Sequence, residues 1–288
     1  MQAEVAPLVE LSGKDYEGLT LKDFASRYVA PNRPFIARKA HSRPKGQEVD
    51  FAYLQRTCGD HEVPVRFFPG GGNDGANFVH KKMTIGNYLR LITDSDAAAQ
   101  QYYLSLLPAE NTVPEILPDL QVPKECLAEK PTPIVFIGRN TYSQLHYHPS
   151  QEAIATMVYG RKRFVLYSPS DTVNLYPAPW YGPAHNFSSI DHRSIEAISR
   201  EKYPLYARAR PIEVVLEAGD FLYIPIYWWH VVYGDDPCML VTYFWKSKAR
   251  AWKFPQGPRV YALRLLRSRV ITSVLRGLLA LKQRAARK

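Results

Sequence analysis

Short runs of hydrophobic residues, separated by turn residues, dominate the chain from Pro133 to Lys246. The runs are rich in β-branched and aromatic residues and show no helical periodicity, so each of them predicts a short strand. The predicted strands span residues 134–137, 153–159, 163–167, 212–216, 221–224, 230–233 and 239–245. Gly160 and Gly219 stand where hairpin turns are expected. Many short strands with regular turns indicate a mainly β fold of the sandwich, jelly-roll or barrel type.

Helical periodicity precedes this strand region. Thr20 begins a sequence that is typical of a helix N-terminus, with Phe24 and Tyr28 on one face, and a second helix is expected from about Thr84. Two further short strands are expected at residues 35–38 and 63–68. These segments predict a lead of helices and strands that packs on the β core.

Hydrophobic residues recur every three or four positions again after Val260, and the polar positions between them are arginine and lysine. This pattern predicts a basic amphipathic helix at the C-terminus. A stretch at 173–206, rich in Pro, Asn and Ser, predicts a long insertion over one mouth of the barrel. The expected division is a lead at residues 1–130, a core at 131–250 and the C-terminal helix at 251–288.

Composition indicates a folded protein in a reducing compartment. Hydrophobic residues make up 46% and aromatic residues 12% of the 288 positions, which excludes intrinsic disorder of the whole chain. Three cysteines without a CxxC spacing predict neither a disulfide framework nor a cysteine zinc site. We find no pattern of a leader peptide or of a membrane-spanning segment, so a cytoplasmic location is expected.

The net charge of +10 is concentrated at one end of the chain. Residues 259–288 contain nine basic residues and no acidic one, which leaves 10 − 9, or +1, for the rest. The main body is therefore close to neutral. A basic amphipathic helix also fits contact with an anionic membrane surface or with an RNA backbone.

Three of the eight histidines form a pattern that is typical of a metal site. In an extended strand, residues i and i+2 project to the same face, so His146 and His148 can bind one ion together. His230, on a much later predicted strand, would supply a third ligand. Any one of these residues alone would more simply be a hydrogen-bonded core or rim histidine. The pair with a late third histidine favours the metal site.

Several motifs resemble those of the cupin-like JmjC hydroxylases. They are the segments 143–149, 160–169, 174–177 and 216–230, together with an N-terminal signature at 31–36. The resemblance implies a double-stranded β-helix of the jelly-roll or cupin type, with flanking N-terminal helices. It also implies Fe(II) as cofactor, 2-oxoglutarate as cosubstrate and hydroxylation of a target. Related hydroxylases pair through C-terminal helices, so the resemblance favours a homodimer over membrane or RNA contact.

The resemblance also implies the residues of the site. His146 and His230 match the first and last metal ligands of the family, and His148 stands where the family has an aspartate. Lys162 matches the lysine that pairs with the distal carboxylate of 2-oxoglutarate, and Tyr103 and Ser143 match two further cosubstrate ligands.

Three other positions are weaker candidates for the site. Glu152 and Tyr243 stand where the family has asparagines near the cosubstrate, and Trp245 is a further candidate. Arg161 and Arg163 alternate with Lys162 and are expected to point away from the pocket.

The aspartate-to-histidine change leaves several hypotheses open. Three neutral imidazoles do not offset the 2+ charge of the ion. They also favour zinc or copper more than a set with a carboxylate does. One hypothesis is an oxygenase with a three-histidine iron site. A second is an oxygenase in which Glu152 supplies a carboxylate ligand to the metal. Alternatives are a three-histidine cupin dioxygenase without 2-oxoglutarate, or a non-catalytic metal-binding module. A protein side chain, a tRNA base and a small metabolite all remain open as substrate.

Overall fold

The computed structural model describes residues 8–40, 49–70, 77–179, 184–195 and 197–247. The expected C-terminal helix, and with it the expected dimer, membrane or RNA contact, lies outside these residues and stays a prediction. Of the helices within the described ranges, none is long and apolar enough to cross a membrane.

Thirteen strands and six α-helices make up most of the described chain. The strands are β1 (Val9–Leu11), β2 (Phe35–Ala37), β3 (Glu62–Phe67), β4 (Val79–Thr84), β5 (Tyr102–Pro108), β6 (Pro133–Gly138), β7 (Thr141–His146), β8 (Gln151–Tyr159), β9 (Arg161–Tyr167), β10 (Ile212–Glu217), β11 (Phe221–Ile224), β12 (Trp229–Gly234) and β13 (Cys238–Lys246). The α-helices are α1 (Gly13–Gly18), α2 (Leu21–Phe24), α3 (Phe51–Cys58), α4 (Ile85–Asp94), α5 (Asp96–Ala99) and α6 (Ala109–Thr112). Short 3₁₀ segments lie at Pro114–Asp119, Lys124–Glu129, Pro169–Leu175 and Pro204–Arg208.

Two sheets form the core of the fold. The larger has nine strands in the order β1-β2-β11-β8-β13-β6-β5-β3-β4, and the smaller has four in the order β10-β9-β12-β7. The last eight strands, β6 to β13, divide equally between the two sheets, and their pairings are antiparallel. This confirms the expected double-stranded β-helix of the cupin type.

Alternation along each strand explains how the sheets pack. On β8, Ala153 and Ala155 face the smaller sheet, whereas Ile154 joins the apolar cluster on the outer side. On β9, Phe164 packs between the sheets and Val165 packs under the insertion. Because both faces of these strands are buried, the runs are almost continuously hydrophobic. Each fully buried large side chain contributes about 1.5–3 kcal/mol to folding.

The predicted helices of the lead are present. Thr20 caps α2 by accepting a hydrogen bond from the backbone N–H of Asp23, and the helix continues as a π-helical turn at Ala25–Val29. Thr84 caps α4 in the same way through Asn87. Tyr88 on α4 is buried, and its hydroxyl donates to the carbonyl of Ile137 on β6. The lead is therefore bonded directly to the core.

Four strands, β1, β4, β5 and β7, were not predicted from the pattern. β4 is an edge strand that exposes Lys81 and Lys82, and such exposed charges are common on sheet edges. β5 joins β3 to β6, so the larger sheet combines strands from both sides of the expected boundary between residues 130 and 131. The structure thus continues the core sheet into the lead.

Candidate metal and cosubstrate site

A cavity of about 230 Å³ opens among the strands of the two sheets. Its apolar wall includes Phe136, Phe164 and Leu240, which belong to β6, β9 and β13. The polar side chains that line it are Arg66, Tyr103, Ser105, Tyr142, Ser143, Gln144, His146, His148, Lys162, His230 and Thr242. The cavity therefore contains all six residues that the sequence assigned to metal or cosubstrate.

Three histidines meet at one end of this cavity. His146 on β7 pairs with His230 on the adjacent strand β12, and their ring centroids are 4.3 Å apart. The ring of His148 lies 5.2 Å from that of His146 and 4.8 Å from that of His230. One ring nitrogen from each residue lies within 4.8 Å of the other two. Within the described ranges, no other group of three or more His, Cys, Asp or Glu is arranged to hold an ion.

Backbone carbonyls orient two of the imidazoles. The Nδ1 atom of His146 lies 2.7 Å from the carbonyl oxygen of Gln144, and that of His230 lies 3.1 Å from the carbonyl of Trp228. A carbonyl only accepts, so each Nδ1 carries the proton and each Nε2 keeps a free lone pair. A backbone partner of this kind is typical of histidines that bind metal.

His148 reaches the cluster by a different route from the one expected. β7 ends at His146, so His148 follows the strand instead of lying within it. Its backbone carbonyl accepts a hydrogen bond from the N–H of Tyr227 at 3.1 Å, which holds the segment against the turn before β12. The Nδ1 atom of His148 is buried and has no hydrogen-bond partner.

The environment keeps all three imidazoles neutral. Burial lowers the pKa of His146 and lowers that of His230 well below its ordinary value. Burial, together with the nearby His146, lowers the pKa of His148 to about 3. Neutral imidazole is the form that binds a metal ion. A buried nitrogen without a partner and two oriented imidazoles fit a divalent transition metal.

A buried cation lies in the same cavity. Lys162 on β9 is only 2% exposed, and its Nζ donates a hydrogen bond to the hydroxyl of Tyr103 at 3.0 Å. No carboxylate of the described residues forms an ion pair with it. Burial lowers the pKa of Lys162, but the nearby Tyr103 and Cys238 outweigh this effect and leave the pKa above its ordinary value. The charged ammonium therefore fits an anionic ligand in the cavity.

The structure does not bring Glu152, Tyr243 and Trp245 to the cavity, which corrects the expectation for these three residues. Glu152 is buried on the opposite face of β8 from Ala153, which does line the cavity. Tyr243 belongs to the cluster on the outer side of the larger sheet, and Trp245 stacks there on Tyr223.

The physical reason is the two-residue period of a strand. On β13 the side chains that line the cavity are Thr242 and Phe244, the neighbours of Tyr243. The carboxylate of Glu152 is also fully engaged, since it accepts hydrogen bonds from Tyr223, Ser247 and the N–H of Ile226. Glu152 therefore does not act as a ligand in this arrangement.

The expected insertion does contact the site. Phe187 stacks on the ring of His146 with centroids 5.3 Å apart and an interplanar angle of 19°. The backbones of the same two residues form an isolated bridge. Sequence reasoning predicted the insertion but did not single out Phe187, because an aromatic residue in an irregular loop carries no periodic signal.

Sequence reasoning also missed Arg66. It lines the cavity from β3, in the lead, about 80 residues before the first histidine of the cluster. In a strand, a polar residue that faces solvent and one that faces a cavity give the same alternating pattern. The sequence around Arg66 therefore carries no local signal that it faces the cavity.

The sequence matches a known family and is similar to several named proteins. A family model described as a cupin-like domain matches residues 21–251. Lysine-specific demethylase 8 of Xenopus tropicalis is 28% identical over 234 residues, which cover 78% of this chain and 51% of that protein. The tRNA wybutosine-synthesizing protein 5 of Gallus gallus is 27% identical over 265 residues, covering 85% of this chain and 80% of that protein.

A third relative is the human bifunctional peptidase and (3S)-lysyl hydroxylase JMJD7. It is 28% identical over 255 residues, which cover 77% of this chain and 79% of that protein. The names of these three relatives describe different substrates. This chain spans about half the length of the demethylase that it matches.

Proposed function

This chain belongs to the cupin-like JmjC domain family, and we propose that it is an Fe(II)- and 2-oxoglutarate-dependent oxygenase that hydroxylates its substrate. One observation carries the proposal. A single cavity holds three neutral imidazoles, each with a ring nitrogen within 4.8 Å of the other two, and a buried ammonium without a carboxylate partner among the described residues. A purely structural metal site has no need of that ammonium.

Each residue of the cavity has a distinct role in this proposal. His146, His148 and His230 hold the metal ion, and the backbone carbonyls of Gln144 and Trp228 keep two of these rings in the ligating tautomer. Lys162 binds the distal carboxylate of 2-oxoglutarate, and Tyr103 positions the ammonium. Ser143, on the same strand as His146, offers a hydroxyl to the cosubstrate.

When iron and 2-oxoglutarate are bound, they supply the oxidising chemistry of the reaction. Oxygen, 2-oxoglutarate and a C–H bond of the substrate yield succinate, carbon dioxide and the hydroxylated product. Phe136, Phe164 and Phe244 make part of the cavity wall apolar. The carboxylate beside the 2-oxo group would offset part of the 2+ charge that three neutral imidazoles leave on the metal, and Lys162 would bind the other carboxylate.

An anaerobic titration of the Fe(II)-loaded protein with 2-oxoglutarate tests the proposal. We expect a visible charge-transfer band that saturates with 2-oxoglutarate and is weaker at equal concentration of pyruvate, which lacks the distal carboxylate. If iron is bound but no band develops, the proposal fails, and a dioxygenase independent of 2-oxoglutarate or a non-catalytic module is then favoured.

We also infer that the protein works in the cytoplasm. Support comes from Cys58, Cys126 and Cys238, which are free and buried thiols. Cell fractionation of the full chain tests this location.

The homodimer expected through the basic C-terminal helix is likewise a proposal. Sedimentation of the full chain, and of a variant truncated before Arg259, tests it. If the full and the truncated proteins sediment with the same number of chains per particle, a dimer through the C-terminal helix is contradicted.

A further inference from the structure

Arg66 is a second cation in the cavity, and the described residues leave it without a polar partner. It lies on β3 and is half-buried. Its Nε atom is inaccessible to solvent and has no hydrogen-bond partner. No carboxylate within the described ranges forms an ion pair with its guanidinium. A buried donor without a hydrogen-bond partner destabilises the fold, and more so when the group is charged.

Two aromatic residues define how the guanidinium is held. Its Cζ atom lies 4.5 Å from the ring centroid of Phe78, so that ring covers one face of the guanidinium plane. The backbone of Arg66 pairs with that of Tyr103 on β5, the same tyrosine that contacts Lys162. A cation–π contact stabilises the guanidinium but satisfies none of its N–H groups. The edge of the guanidinium therefore remains available for a ligand.

The charges of the cavity are not balanced by the cosubstrate. Among the described residues that line it, none is an aspartate or a glutamate. Under the proposed function the metal contributes 2+, Lys162 and Arg66 contribute one positive charge each, and 2-oxoglutarate contributes two negative charges. The sum, 2 + 1 + 1 − 2, leaves the loaded cavity at +2. An uncompensated charge in a partly desolvated site is costly, so the site favours an anionic third component.

The two carboxylates of 2-oxoglutarate already have partners in the proposed function. One belongs to Lys162, and the other lies beside the 2-oxo group at the metal. Neither is left for Arg66. The ligand of Arg66 is then supplied by the substrate that is hydroxylated.

We propose that Arg66 binds a carboxylate of the primary substrate, so that the enzyme selects an acidic amino-acid side chain or a small organic acid. This inference rests on the proposed function, and it narrows the class of substrate. A carboxylate is planar and offers two oxygens, which match two adjacent N–H groups on the edge of a guanidinium whose face is covered. Leu106 also lines the cavity and is 52% exposed, so this wall faces solvent and admits a ligand from outside.

Ligand-observed NMR on the Zn(II)-loaded protein with saturating 2-oxoglutarate tests the inference without turnover. The probes are N-acetyl-aspartate amide, its neutral isostere N-acetyl-asparagine amide, propanoate as a small organic acid anion, and inorganic phosphate. We expect saturable binding of the aspartate probe or of propanoate, at least tenfold tighter than binding of the asparagine probe. Tighter binding of the aspartate probe would identify a peptide side chain as the source of the substrate carboxylate. Tighter binding of propanoate would identify a small organic acid.

Variants assign the carboxylate to Arg66. Arg66→Gln is expected to weaken carboxylate binding at least tenfold and to leave the affinity for 2-oxoglutarate within about twofold. Arg66→Lys keeps the charge and retains part of the binding. Arg90→Gln is the matched control, because Arg90 is an exposed arginine on α4 that bonds to Asn87. Thermal unfolding of each variant shows that it is folded.

Three binding results on the wild type would overturn the inference. They are the absence of saturable carboxylate binding to the wild type, equal binding of the asparagine probe, and a preference for phosphate over both carboxylates. A loss of 2-oxoglutarate affinity in Arg66→Gln would also overturn it, since the arginine would then serve the cosubstrate. Failure of 2-oxoglutarate to bind the wild type is a separate result that contradicts the proposed function instead.

Discussion

The carboxylate of Glu152 accepts a hydrogen bond from the hydroxyl of Tyr223 at 2.8 Å, on the face of β8 that turns away from the three histidines. The other oxygen accepts from the hydroxyl of Ser247 at 2.7 Å. Glu152 thus joins β8, β11 and the end of β13, and it leaves the metal group to imidazoles. Its position makes it a structural residue.

Replacing Glu152 should therefore change stability and leave metal binding unchanged. In Glu152→Gln, an amide group takes the place of an oxygen that accepts hydrogen bonds, so buried donors lose a partner. We expect the free energy of unfolding to fall by about 1–3 kcal/mol, as measured by chemical denaturation. Zn(II) affinity should stay within about twofold of the wild type, whereas His148→Ala should lower it strongly. Loss of metal affinity in Glu152→Gln would show that the carboxylate is a ligand after all.

Lys162 should control the affinity for 2-oxoglutarate. In Lys162→Met the charge is lost while most of the buried side-chain volume is kept, so a charge-assisted hydrogen bond worth about 1.5–3 kcal/mol disappears. We expect the dissociation constant for 2-oxoglutarate to rise by about 10- to 150-fold in an equilibrium titration, and the preference over pyruvate to vanish.

The matched control for Lys162 is its neighbour Arg161. It lies on the opposite face of β9, is exposed, and forms an ion pair with Asp236 at 2.6 Å. Arg161→Gln should leave 2-oxoglutarate binding unchanged. A similar loss in both variants would mean that net charge, and not a specific contact, determines the affinity.

His148 should set the metal preference of the site. A third imidazole favours copper and zinc relative to iron and manganese, whereas a carboxylate suits the harder ions. We expect His148→Asp to lower the ratio of Zn(II) to Mn(II) affinity by at least tenfold, measured by competition with a chelator. His148→Asn, which adds no charge, should not reproduce this change in ratio. An unchanged ratio in His148→Asp would mean that residue 148 does not contact the ion.

His192 should make stability depend on pH. It is fully buried in the insertion, and burial lowers its pKa from 6.5 to about 4. Between these two values the unfolded chain binds a proton that the folded chain does not, so stability rises with pH. The contribution is complete above pH 6.5 and is lost as the pH falls towards about 4.

A pair of denaturation series at pH 5 and pH 7.5 checks this dependence. The wild type should lose more stability at pH 5 than His192→Asn does, by an amount on the order of 1–2 kcal/mol. Other histidines contribute equally to both proteins and cancel in the difference. Equal pH dependence in the two proteins would contradict the neutral, buried state of His192.

Gly160 should be required at the turn between β8 and β9. Its φ angle is +72°, and an added Cβ would lie 2.3 Å from the carbonyl oxygen of Pro237. We expect Gly160→Ala to lower the free energy of unfolding by at least about 1–3 kcal/mol. Gly18 has no atom within 4 Å of such a Cβ, so Gly18→Ala is the control. A tolerated Gly160→Ala would show that the turn is free to rearrange.

Much of this fold and site was predictable from the sequence because the signals are local. Seven predicted strands of the core are present within two residues at each end, and the helices begin at the predicted Thr20 and Thr84 caps. β7 was not predicted because its polar residues line the cavity and interrupt the hydrophobic pattern of a core strand. Spacing also identified the two early histidines, although His148 turns out to follow the strand that carries His146.

What the sequence by itself determined was therefore the strand pattern, the family motifs and the set of three histidines with Lys162. What only the tertiary structure decided was the side of each strand that faces the cavity. A shift of one residue moves a side chain to the opposite face, so Ala153, Thr242 and Phe244 line the cavity instead of Glu152, Tyr243 and Trp245. The tertiary structure also decided that Arg66 lies in the site. The pairing of β3 with β5 is a long-range contact that no local pattern encodes.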